Sequence, residues 1–143
     1  MTVRDDSPVD LAPLRQALHD MVAPWVRELG LEVVSAQPGE VRLRLPVSPG
    51  LVHGGGVLCG QAMMAAADTA MILAVMTRLG GFKPMTTVQL QTSFLKPVPG
   101  DAGDATLVAR VLRLGRSLAF GEIELLTPRG ELAAHATTTY ALL

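Results

Sequence analysis

Gly60-Gln61-Ala62-Met63-Met64-Ala65-Ala66-Ala67-Asp68-Thr69-Ala70-Met71-Ile72-Leu73-Ala74-Val75-Met76 carries a single formal charge, at Asp68. With histidine counted as neutral, Asp68 is also the only charged side chain between Arg44 and Arg78. Burying a carboxylate in so apolar a stretch costs several kcal/mol unless the group is paired or used. A lone acid in such a helix is therefore a candidate for chemistry. The run reads as one long helix, preceded by the loop Gly54-Gly55-Gly56 and ending near Gly80-Gly81. Residues 57–76 are about long enough to span a bilayer. Asp68, Gln61, the alanine content and the lack of a flanking basic cluster favour a core helix covered by a sheet.

On the N-terminal side, residues 1–9 read as a disordered tail and residues 10–143 as a single domain. Residues 11–29 have helical spacing, with Leu14, Leu18, Met21, Val22, Trp25, Val26 and Leu29 recurring at three and four. Asp10 is placed to cap this helix, and Pro24 divides or kinks it. Residues 31–36 and 41–47 read as a strand hairpin about the turn Gln37-Pro38-Gly39-Glu40, the second strand alternating strictly. Beyond the long helix, residues 85–95, 105–114, 117–126 and 131–142 read as four more strands. The order is helix, two strands, long helix, four strands. That predicts an α+β domain, an antiparallel sheet with the long helix on one face. One helix neither hides a whole sheet nor is fully hidden by it, so a second chain is expected to complete the cover.

Composition narrows the function classes. The net charge of −1 leaves no basic footprint for nucleic acid and no polybasic signal for a membrane. The single cysteine, Cys59, excludes an intrachain disulfide framework. No signal peptide is visible, and the expected compartment is the cytoplasm.

The start of the long helix has unpaired N–H groups and a partial positive charge. That is what a developing oxyanion needs, so the backbone amides of Gly60 and Gln61 are candidates to polarise a carbonyl. Asp68 lies eight residues further on, about 12 Å along a helix axis. One chain therefore does not bring both to one carbonyl. Two antiparallel helices crossing near Met64 do, because Gly60, Met64 and Asp68 share a face by their spacing of four. A composite site between two copies follows from that pairing.

Cys59-Gly60-Gln61 through Asp68-Thr69-Ala70 resembles the His-Gly-Gly-(six residues)-Asp-Thr-Ala helix of the hotdog-fold acyl-CoA thioesterases, in the PaaI-like (phenylacetate-degradation) branch. Thr87-Val88-Gln89-Leu90-Gln91-Thr92-Ser93-Phe94-Leu95-Lys96-Pro97 resembles that branch's strand ending in Phe-Leu-Arg/Lys-Pro. Pro99-Gly100-Asp101 and Gly115-Arg116-Ser117 through Ile123-Glu124 resemble its following turn and hairpin. The likeness covers about residues 28–142, and its order and spacing carry more weight than any one motif. It implies a hotdog fold, a sheet wrapped around one central helix, and hydrolysis of an acyl-CoA thioester with no cofactor. Asp68 would be the nucleophile or general base and the partner chain's Gly60 amide the carbonyl polariser. Thr87 falls where relatives often hold a water-positioning Ser or Thr. The assembly implied is a homodimer or a dimer-of-dimers tetramer. Lys96 and Arg116 are candidate contacts for the nucleotide end of CoA.

The departures are specific. The family's histidine falls on Cys59, its second glycine on Gln61 and its asparagine on His53. A register placing His53-Gly54-Gly55 on the His-Gly-Gly motif leaves Ala62 where the acid belongs, so it is rejected on spacing. Cys59 reads as a small buried thiol, and His53 with Cys59 lacks the further ligands a metal needs. His19 and His135 read as structural. Two rivals share the fold: an enoyl-CoA hydratase or dehydratase using an Asp–His couple with His53, and a non-catalytic acyl-ligand-binding domain.

Overall fold

The computed structural model describes residues 7–143, so most of the expected N-terminal tail lies outside the described residues. Residues 7–10 have no regular structure. The chain then forms α1 (Ala12–Asp20), α2 (Pro24–Arg27), β1 (Glu32–Gln37), β2 (Glu40–Leu45), a 3-10 turn (Pro49–Leu51), α3 (Gly60–Leu79), β3 (Met85–Phe94), β4 (Ala105–Leu114), β5 (Leu118–Leu126) and β6 (Leu132–Leu142). Pro24 does divide the first helical stretch, because it opens α2 as an N1 proline. The Asp10 carboxylate accepts the Ala12 N–H at 3.0 Å.

The six strands form one antiparallel sheet in the order β1-β2-β4-β5-β6-β3. Helix α3 is the crossover that carries the chain from β2 to β3, at the opposite edge. The inner face is a layer of alternating apolar side chains: Val41, Leu43 and Leu45 on β2, Leu107 on β4, Ile123 and Leu125 on β5. Against it lie Ala62, Ala66, Ala70 and Ala74 of α3, interleaved with Met63, Met71, Leu73 and Val75. Alanine lets the helix axis sit close to the sheet. The αL conformation of Gly80 ends the helix, with its N–H donated to the Met76 carbonyl. This is the hotdog arrangement that the sequence resemblance implies. Although α3 is long and apolar enough to cross a membrane, most of it is buried against the sheet.

Among the described residues, two faces of this layer remain uncovered. Gln61 and Met64 are exposed along α3, with Ala65, Asp68 and Ile72 half-buried on the same stripe. Strand β3 has a hydrogen-bonded neighbour on one side only, and Thr86, Thr87, Val88 and Gln89 are all exposed. It is a long edge strand with no proline or lysine to blunt it.

Candidate active site

Asp68 sits in the middle of the open stripe of α3. Two hydroxyl groups reach the same carboxylate oxygen. Thr87 Oγ1 donates to Asp68 Oδ1 at 2.9 Å, and the Tyr140 hydroxyl also donates to Oδ1. The same phenol lies 2.9 Å from the Asp68 main-chain carbonyl. Among the described residues nothing bonds Oδ2. The acid is thus anchored on one side and open on the other.

Sheet register explains the convergence. Thr87 on β3 pairs directly with Tyr140 on β6, so both side chains point to the helix face. A bulge then leaves Val88 out of the ladder before Gln89 resumes opposite Thr139. The bulge shifts the parity of the strand. Thr87 before it and Leu90, Thr92 and Phe94 after it all face α3. An unbulged strand presents one set or the other.

Tyr140 is only 1% exposed. Burial and the neighbouring Asp68 carboxylate push its hydroxyl well above the ordinary tyrosine range, so the group stays a proton donor. The sign for stability follows. The unfolded chain ionises near pH 10, so this contribution is complete below that pH and is lost as pH rises above it. Tyr140 is the chain's single tyrosine, which makes the phenolate absorbance specific. In an alkaline titration followed by absorbance and circular dichroism, phenolate is expected to appear only together with unfolding. Phenolate formation in the folded protein near pH 10 would contradict this placement.

Among the described residues no side chain caps the N-terminus of α3. Among the described residues no protein group accepts the N–H of Gly60 or Gln61. Gly60 lies under the Phe94 ring: a Cβ there would lie 3.2 Å from it, so that the ring has to give by a few tenths of an ångström to admit a side chain. The glycine-rich loop before it is tied down, with Leu58 N–H donated to Val98, Cys59 N–H to Leu51 and Gly100 N–H to Gly56. A groove of about 300 Å³ opens here, lined by His53, Gly60, Met63, Phe94 and Lys96 among others. Cys59 does not line it. His53 is exposed and its Nδ1 accepts the Gly55 N–H at 2.8 Å. That bond assigns the proton of the neutral ring to Nε2.

The remaining candidates divide between the two ends of the sheet. Lys96 follows β3 at the Gly60 end and is ion-paired with Glu131. Arg116 is exposed on the β4–β5 turn, at the end where β3 begins, beside Ser117, which accepts the Leu142 N–H. The length of β3 separates these ends, about 30 Å for its ten residues. Within one chain, Lys96 and Arg116 do not meet. No group of three or more metal-ligating side chains occurs among the described residues.

Two residues of this geometry were not singled out by sequence reasoning. Tyr140 is separated from Asp68 by 72 positions, and its only signal is being a lone aromatic after three threonines. Phe94 was legible only as part of a motif, not as the ring that covers Gly60.

A model of the thioesterase superfamily matches residues 50–134. The chain is 34% identical over 116 residues to a candidate esterase of Halobacterium salinarum, covering 76% of this chain and 74% of that one. Its fold superposes on thioesterase superfamily member 2 of zebrafish with a TM-score of 0.82 and 28% identity, covering 94% of this chain and 99% of that one. The PaaI protein of the phenylacetic acid degradation operon of E. coli shares the fold, with a TM-score of 0.77 at 21% identity over 90% of this chain and 92% of that one.

Proposed function

The chain belongs to the thioesterase superfamily, and we propose that it hydrolyses acyl-CoA thioesters to a free acid and CoA at a site shared by two copies. The observation that carries this reading is the Asp68 carboxylate, anchored through Oδ1 with Oδ2 open on the uncovered stripe of α3. Asp68 delivers the attack on the thioester carbon, either directly, forming an Asp68–acyl anhydride that a water then cleaves to regenerate the carboxylate, or by taking a proton from a water that attacks. The thiolate of CoA leaves and the acyl group ends as a carboxylic acid. The carbonyl oxygen gathers charge in that step, and free N–H groups at a helix N-terminus are suited to receive it.

Gly60 of the same chain is about 12 Å from Asp68 along the axis, so the amide comes from a second copy. Two features support a two-fold pairing: the open edge of β3 and the apolar stripe of α3 beside it. An antiparallel pairing across both places Gly60 of one chain by Asp68 of the other. The same operation brings Lys96 of one chain and Arg116 of the other to a common end, where they would meet the phosphates of CoA. The exposed Leu112, Leu118 and Phe120 on the hairpin that carries Arg116 offer a further contact for a tetramer. The proposed setting is the cytoplasm.

Release of free thiol from a panel of acyl-CoAs tests the activity. Consumption of an enoyl-CoA double bond without thiol release would instead mark a hydratase. Mixing two inactive variants tests the shared site. Gly60→Pro removes the N–H, and proline suits this position because it is the first of the helix and Cys59 before it is extended. The half-exposed Phe94 can swing aside for the ring. An equal mixture of Gly60→Pro and Asp68→Asn, refolded together, forms hybrid dimers with one intact site, so about a quarter of wild-type activity is expected to return. No recovery would place both groups in one chain's site and overturn the pairing.

A further inference from the structure

We propose that Tyr140 is a positioning residue: together with Thr87 it holds Asp68 by Oδ1, so that Oδ2 is the oxygen presented to the reacting carbonyl or to its water. This deepens the assignment of Asp68 above and rests on it. The simpler role for a buried phenol is to satisfy itself on the nearest carbonyl. Tyr140 has such an acceptor in the Asp68 main-chain oxygen at 2.9 Å. Its hydroxyl nevertheless reaches Oδ1 as well. Thr87 delivers a second donor to the same atom from a different strand. A carboxylate on a helix otherwise rotates freely about its last torsion. Two donors on one oxygen from β3 and β6 fix that rotation and leave one oxygen unshared.

The arrangement depends on the register shift in β3. The bulge at Val88 costs ladder pairing and leaves a valine 60% exposed. Its effect is to turn Thr87 inward while keeping Phe94 over Gly60. The groups facing Asp68 are Tyr140 from β6 and Thr87 from β3, and among the described residues no charged side chain forms an ion pair with it. The hydrogen bonds from Thr87 and Tyr140 are therefore the specific contacts that orient the Asp68 carboxylate.

The test is the pH profile of Tyr140→Phe. Its thiol release is expected to fall about tenfold or more in kcat with KM little changed, because positioning acts in the transition state. The acid limb of kcat/KM is expected to move to higher pH, because the ionised carboxylate has lost a donor. Thr87→Val moves it the same way and Thr87→Ser leaves it in place. The chain's single tyrosine allows a second form that keeps the shape. Biosynthetic fluorotyrosine labels only Tyr140, sharpens its hydroxyl as a donor, and is expected to move the limb to lower pH. The carboxyl carbon resonance of Asp68, titrated by NMR in each form, reads the same shift without any turnover. Loss of stability in Tyr140→Phe with the Asp68 titration unmoved would reduce Tyr140 to a core residue and overturn the proposal. Absence of thiol release in the wild type would overturn the thioesterase assignment instead, and the NMR titration would still decide the role of Tyr140.

Discussion

Asp68→Asn is expected to lower thiol release from acyl-CoA about 10³-fold, in the range that loss of a positioned base or nucleophile produces. The substitution is nearly isosteric. The asparagine carbonyl oxygen can take the place of Oδ1 and accept from both Thr87 and Tyr140. The amide nitrogen then occupies the open position, where it neither attacks a carbonyl nor takes a proton from water. Folding is therefore expected to be retained, with thermal unfolding shifted by no more than the equivalent of about 1 kcal/mol. Kinetics on purified protein with circular dichroism in parallel separate the two effects. Undiminished thiol release would remove Asp68 from the reaction. A collapse in stability would make it a structural acid.

Gly121→Ala is expected to destabilise the fold by about 3 kcal/mol, at the upper end of ordinary overpacking. Gly121 lies in β5 directly under Met71 of α3, and it has no positive φ to protect. Space alone excludes a side chain. A Cβ there would run into the thioether of Met71 and would lie 2.6 Å from the Arg110 carbonyl. Met71 is 0% exposed and has nowhere to go, while the carbonyl belongs to the β4 ladder. The loss corresponds to a fall of roughly 10 °C in Tm for a domain of this size. Gly50→Ala is the control, since nothing lies within 4 Å of a Cβ there and its φ is ordinary. Met71→Ala combined with Gly121→Ala should cost less than the two singly summed, because they share one contact. A neutral Gly121→Ala would mean that the helix sits further from the sheet than described.

Asp68 was legible because charge is conspicuous in an apolar helix, and Gly60 because a glycine-rich turn into a helix has a physical meaning. The strands were legible from alternation, to within a residue or two at their ends. Pro24 announced its own break. The glycine-rich stretch was legible as a loop, but its bonds to Leu51, Val98 and Gly100 have no local signature. Lys96 was legible as a candidate phosphate contact, but its pairing with Glu131, 35 positions away, was not. Lys96 and Arg116 were read together as contacts for one nucleotide, and only strand direction shows them at opposite ends of the sheet.

The sequence by itself determined that a buried helix carries one acid, that its own N-terminus is too far away to serve that acid, and that strands wrap the helix. These follow from composition and from distances along a single element, which are local. Tertiary structure decided how the acid is held. The Thr87–Tyr140 pair, the bulge that turns Thr87 inward and the ring over Gly60 all arise from pairing between strands remote in sequence. Register shifts by one residue invert a strand's faces without changing its composition, so the atoms that converge on Asp68 are set by pairing in space and not by periodicity along the chain.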